Sequence, residues 1–255
     1  MQGCKHSSIE CGFEDNLTVL SSNKSKTSPI NNYYRCCAFF YHILSPGMRS
    51  QFRKCAANTG KSEYTLEAKR EAMGRTAVGS AEAVVNKCNL PISVDQFVEE
   101  IESMYESVFN EYIEFLPGAE KLVKHLKDNK IPIAIATSSK NSTFKLKSKH
   151  HGKFFELFHH IVRGSDDPDV KNGKPAPDIF LIAASRFDAD SLPQSMKNVL
   201  VFEDSANGVR AGIAAGMQVV WVPAECTDTS TATATLIVPS LEQFDPTLFN
   251  LPPYQ

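Results

Sequence analysis

The sequence predicts an α/β protein, a doubly wound parallel sheet preceded by a small all-helical block. Three observations carry that expectation. From about residue 119 onward, short apolar runs alternate with amphipathic helical patterns across short loops, as in a sheet whose crossovers are helices. The run Val199-Leu200-Val201-Phe202 is apolar at every position, which suits a strand buried on both faces. Between residues 48 and 112 the periodicity is helical throughout.

Residues 1–47 are rich in Ser, Asn, Lys and Thr, as in SSNKSKTSPINN, and are expected to be an atypical, largely disordered segment. The helical block follows at 48–112. Phe52, Cys55 and Ala56 fall at helical spacing before Gly60; residues 64–72 are charged and amphipathic; Gly74-Arg75-Thr76 interrupts, and 77–88 resumes. Ser93 offers an N-cap for a long helix carrying Phe97, Ile101, Met104, Tyr105, Val108 and Phe109. Leu116-Pro117-Gly118 then opens the sheet region, 113–255. The expected order there is a helix at 119–128, a strand at 131–136, a Lys-rich helix at 142–151, a short strand at 161–162 and a helix at 179–187. The apolar strand at 199–202, an Ala-rich helix, a second apolar run after Gly216 and a last strand at 234–238 complete it.

Composition excludes several classes. With 27 basic against 29 acidic residues and a net charge of −2, bulk charge draws the chain to neither nucleic acid nor a membrane surface. The apolar run at 36–44 is too short for a membrane span. Seven cysteines, an odd number without C-x-x-C spacing, suggest reduced thiols in the cytoplasm. The chain is expected to be a monomer. Lys145, Lys147, Lys149, His150 and His151 are expected to form a solvated helix face, and His159-His160 to be structural.

Three loops stand at the carboxyl ends of predicted parallel strands, where ligands of such sheets gather: Thr137-Ser138-Ser139, Gly173-Lys174-Pro175 and Glu203-Asp204. Adjacent carboxylates repel unless a cation lies near, so Glu203 and Asp204 suggest a divalent ion with oxygen ligands. Acids at a helix N-terminus are the plain alternative. Hydroxyls at a helix mouth, one lysine and that carboxylate pair together describe a site for a small phosphorylated substrate with Mg²⁺. Taken singly, the first of these loops is more often a helix cap and the second more often a plain turn.

The motifs IAIATSS, GKPAPDIF and VFEDSANGVRAGIAAGM, with LPGAEKLVKHLK ahead of them, resemble the haloacid dehalogenase superfamily of Mg²⁺-dependent phosphohydrolases with a helical cap. The resemblance runs from about Met48 to the C-terminus. It implies that Thr137 holds the transferring phosphoryl group with help from the Ser138 backbone, and that Lys174 neutralises it. It further implies that Asp204 ligates Mg²⁺ with Glu203 beside it, and that residues 48–112 are the cap. Arg75, in the cap's Gly-Arg turn, is the candidate to reach toward a nucleotide-like monophosphate, with an exposed helix-end arginine as the plainer alternative.

One part of the family pattern is absent. Such enzymes attack phosphorus with an Asp at the end of the first strand, and a second Asp two residues later acts as acid and base. Ahead of Asp95 this chain contains only Asp15, in GFEDNLTVL. Where the first strand should lie, the sequence reads YYRCCAFFYHIL, apolar and without acids. The first core strand is therefore replaced or missing: either 36–44 partly fills its place or a first exon is lacking. The loss predicts a deficit of about four to six orders of magnitude in turnover. The alternatives to an impaired phosphatase are a catalytically dead phosphate-binding or regulatory protein, and a splice or gene-model variant.

Overall fold

The computed structural model describes residues 35–36, 65–110, 112–223 and 227–255. Three helices make the cap: α1 (Leu66–Ala72), α2 (Ala77–Cys88) and α3 (Val94–Phe109). Each begins where a hydroxyl can take up an unsatisfied amide. Thr65 accepts from Ala68 N and Thr76 from Gly79 N, while Ser93 and Gln96 form a reciprocal capping box. The helices enclose their own core, in which Val84, Phe97, Ile101 and Phe109 are buried.

The sheet region alternates strand and helix: α4 (Ala119–Asp128), β2 (Ile135–Thr137), α5 (Asn141–Ser148), α6 (Gly152–Phe155), β3 (Ile161–Arg163), α7 (Asp178–Ser185), β4 (Val199–Glu203), α8 (Ala206–Ala214), β5 (Gln218–Trp221) and β6 (Leu236–Ile237). Upstream of the cap, β1 (Arg35–Cys36) pairs in parallel with β4, Arg35 opposite Val199 and Cys36 opposite Leu200. All described pairings are parallel, in the orders β1-β4-β5-β6 and β2-β3.

Period-two alternation sorts each strand between two cores. Leu200, Phe202 and Val220 join Leu122 and Leu126 of α4 on one face. Val199, Val201, Val219 and Trp221 join Phe180 of α7 and Val209 of α8 on the other. The doubly wound α/β core is thus a direct consequence of strands that are apolar at every position. The C-terminal tail packs rather than frays: Phe244, Phe249 and Leu251 are buried in the α4-side core, and His125 Nε2 donates to Pro252 O at 2.9 Å.

Several expected boundaries shift. The strand expected at 131–136 is hydrogen-bonded as a ladder only over Ile135–Thr137. Ile131 and Ile133 stay buried, but the Ile133 N–H donates to the His159 ring, so a side chain replaces a strand partner. The Lys-rich helix stops at Ser148 instead of 151, because His151 turns inward and its Nε2 donates to Ile113 O at 2.6 Å. The solvated face expected of that cluster is therefore corrected at two positions: His151 is buried and Lys147 partly so, whereas Lys145, Lys149 and His150 are exposed. His159 and His160 are structural, the latter bonded to Ala183 O.

The helix expected at 48–60, the segments 1–34 and 37–47, and most of the run expected to fill the sheet at 36–44 lie outside the described residues. Among the described residues no helix is long and apolar enough to cross a membrane.

Phe202 is buried on β4, with its ring 4.9 Å from Phe244. Phe202→Ala is expected to destabilise the chain by about 3–5 kcal/mol, and Leu248→Ala, at a half-exposed position, by less than about 0.5 kcal/mol. Urea denaturation compares the two.

Candidate functional site

The carboxyl ends of β2 and β4 converge on one buried lysine. Lys174, delivered by the loop before α7, places Nζ 2.7 Å from Glu203 Oε1 and 3.3 Å from Ala136 O. Both side chains of the ion pair are at most 1% exposed. The ammonium also lies 4.8 Å from the centroid of the Phe180 ring. Thr137, one residue beyond Ala136, is buried, and its Oγ1 accepts from Ser139 N at 3.2 Å. Thr137 and Lys174, separated by the whole α5–β3 segment in sequence, thus share one corner of the fold.

Glu203 is served by four protein donors. Besides Lys174, its Oε2 accepts from Asp204 N at 3.0 Å, Ser205 N at 3.2 Å and Ser205 Oγ at 3.1 Å. Three of these donors converge on Oε2 and one on Oε1, so the Glu203 carboxylate is anchored inside the protein through both oxygens. Burial pushes its carboxyl above the ordinary carboxylate value, and the Lys174 ammonium pulls against that rise. Ser205 is also the N-cap of α8, accepting from Gly208 N at 3.1 Å. Residue 208 must be glycine for packing: a Cβ there would stand 1.8 Å from Glu203 Oε1.

Asp204 differs from its neighbour. It is buried, lies one residue past the strand, and its carbonyl accepts from Trp221 Nε1 at 2.9 Å, which fixes its peptide at the mouth of the sheet. Among the described residues no group of three His, Cys, Asp or Glu side chains is placed to hold a metal ion.

The cap meets this corner through one tight turn. Gly74, at φ +78°, sits so close to the sheet region that a Cβ would lie 2.1 Å from Ser205 Oγ. Ser138 Oγ donates to Gly74 O at 3.0 Å, and Asn207 Nδ2 donates to Met73 O at 2.8 Å. Arg75 belongs to the same turn, yet its guanidinium folds back along α1, with Nε donating to Glu71 O at 2.8 Å. At the other end of the cap, Lys140 pairs with Glu102 at 2.5 Å, and the Lys147 ammonium lies 5.3 Å from the centroid of the Phe109 ring.

Of the residues expected from sequence, Thr137, Ser138, Lys174, Glu203 and Asp204 come together, and Arg75 is brought to their rim with its side chain directed elsewhere. Sequence reading missed Ser205, Asn207 and Lys147. Ser205 could have been found as an S-x-x-G N-cap, and Lys147 from its spacing of three after Phe144. Asn207 carries no local signal.

Comparison with known proteins adds four findings. A family model described as haloacid dehalogenase-like hydrolase matches residues 34–216. The chain is 42% identical over 192 residues to a probable pseudouridine-5′-phosphatase of Drosophila melanogaster, covering 75% of this chain and 81% of that protein. It is 43% identical over 219 residues to (DL)-glycerol-3-phosphatase 2 of Arabidopsis thaliana, covering 85% and 86%. Among solved structures, β-phosphoglucomutase from Clostridium difficile shares the fold, with a TM-score of 0.69, 23% identity, and coverage of 86% of this chain and 97% of that one.

Two outcomes are expected from this geometry. Gly208→Ala forces the Glu203 carboxylate off Lys174 and destabilises the chain by about 1–3 kcal/mol, read by urea denaturation. Burial lowers the Lys147 amine to about 8, against a weaker upward pull from Asp204. Between that value and the ordinary lysine pKa the unfolded chain binds the extra proton, so this contribution to stability rises with pH across the window. The rise is expected to vanish in Lys147→Met.

Proposed function

The chain belongs to the haloacid dehalogenase-like hydrolase family, and on that premise we propose that its site binds the phosphoryl group of a small monophosphate, pseudouridine 5′-phosphate foremost. The observation that carries this reading is the buried Lys174–Glu203 pair tied to Ala136 O beside Thr137. It holds a positive charge where the carboxyl ends of two strands meet, under the cap. The Thr137 hydroxyl and the Ser138 backbone take the phosphoryl oxygens, and Lys174 offsets their charge. The cap turn at Gly74 closes the rim and excludes water. The substrate class rests on relatives named for pseudouridine 5′-phosphate and glycerol 3-phosphate, both phosphate esters of hydroxyl-rich leaving groups.

Mg²⁺ fits this donor set through Asp204, a buried hard-oxygen donor at the strand end, whereas Glu203 is committed to Lys174. An ion of this kind is commonly held by one or two carboxylates with waters and substrate phosphate completing the shell. When bound, Mg²⁺ supplies charge to the phosphoryl oxygens. Glu203 acts by orienting Lys174, and Arg75 is retained only as a rim residue.

Binding and turnover come apart in this reading. The chain carries the phosphate-holding half of the family's apparatus, and no D-x-D precedes its cap. A phosphate-binding protein with little or no hydrolytic turnover is the second reading, favoured by that absence. With Mg²⁺ and pseudouridine 5′-phosphate, the chain is expected to gain thermal stability and to release phosphate about four to six orders of magnitude below the usual range of about 1–10³ s⁻¹. Thr137→Val should remove most of the ligand-induced stabilisation. Turnover within the usual range would contradict the impairment; no stabilisation by phosphate or ester would contradict the binding site.

A further inference from the structure

We propose that Lys147 is a second substrate-facing cation, one that recognises hydroxyl oxygens of the leaving group at the seam between cap and sheet. This inference rests on the phosphate-binding reading above and assigns the part of the substrate that reading leaves open.

Position on α5 comes first. Thr143 and Phe144 are the buried residues of this helix, and Lys147 follows them by four and three, so it shares their inward face. Lys145 and Lys149 flank it and are exposed. Helical side chains lean toward the N-terminus, which carries the Lys147 ammonium back along α5 to the loop that precedes it. There Nζ donates to Ser139 Oγ at 3.1 Å, two residues from Thr137. On the cap side the ammonium lies near the ring of Phe109, the last residue of α3, with Nζ 5.3 Å from its centroid.

The two lysines therefore divide the site. Lys174 is sealed into the floor by Glu203 and Ala136 O. Lys147 stands between the Thr137 loop and the cap, with a hydroxyl and an aromatic face as neighbours. A phosphomonoester whose phosphoryl rests on the floor must lead its ester oxygen and leaving group toward the cap. An ammonium beside a hydroxyl there suits the oxygens of a small polyol or pentose, and Phe109 suits its carbon skeleton. A leaving group without hydroxyls offers nothing for Lys147 to bond.

The test is titration calorimetry of the full chain with Mg²⁺ and four probes: inorganic phosphate, propyl phosphate, glycerol 3-phosphate and pseudouridine 5′-phosphate. Lys147→Met is expected to weaken the last two by about 10- to 100-fold, the range of a charged hydrogen bond, and the first two by no more than about twofold. Ser139→Ala, which frees the ammonium from its anchor, should weaken the same two ligands by a smaller factor. As a measure independent of variant folding, reductive methylation of Lys147 in the wild-type chain should be slowed more by glycerol 3-phosphate than by propyl phosphate. Equal loss for all four probes would assign Lys147 to the phosphoryl group, and no loss would make it structural; either overturns the inference while the phosphate site stands. A wild-type chain that binds none of the probes overturns both.

Discussion

The ion pair between Lys174 and Glu203 is the constraint on which the rest of the site depends. The described strands form two separate ladders, β1-β4-β5-β6 and β2-β3. Lys174 bridges their carboxyl ends, bonding Ala136 O at the end of β2 and Glu203 at the end of β4. Removing both charges from water carries a desolvation penalty of several kcal/mol per ion, which close contact alone offsets only in part. The remaining compensation comes from the Asp204 and Ser205 amides, the Ser205 hydroxyl and the Phe180 ring. That crowding in turn requires glycine at 208, and it fixes the Ser205 hydroxyl where any side chain at 74 would collide with it.

A site fixed in this way is preorganised. Its charges and donors are set by the fold before a ligand arrives, so binding an anion demands little rearrangement. The cap turn is held by Ser138 and Asn207, and the Asp204 peptide by Trp221. In the proposed reading these are the parts that recognise a phosphoryl group. The parts that attack phosphorus and move a proton belong, in the family, to an acidic first strand, and the sequence ahead of the cap supplies no such acids. Recognition without efficient turnover is what we propose for a chain that keeps one half of the apparatus.

Much of this was legible in the sequence where the pattern is regular. The strand at β4, the flanking helices and the cap helix boundaries follow from apolar period and capping residues, as at Ser93. The three loops were identified because parallel strands place ligands at their carboxyl ends. What was blurred was the division of labour between Glu203 and Asp204, which look equivalent as an acid pair. Period two resolves it: Glu203 shares the face of Val199 and Val201, toward α7 and α8, where Gly208 leaves room and Lys174 arrives. Asp204 is the first residue past that alternation. Lys147 was hidden by its charged neighbours, since a row of lysines reads as a solvated face until the inward position of Phe144 is known. The early end of the β2 ladder, where the His159 ring takes the place of a strand partner for Ile133 N–H, had no signature in sequence.

The most direct test of the central role of the ion pair is a double-mutant cycle on Lys174 and Glu203, read by urea denaturation. Lys174→Met and Glu203→Gln should each destabilise by about 3–5 kcal/mol, because either leaves a buried group without its partner. The double variant should lose far less than the sum. Additivity within about 0.5 kcal/mol would show the two residues to be independent and would contradict the account.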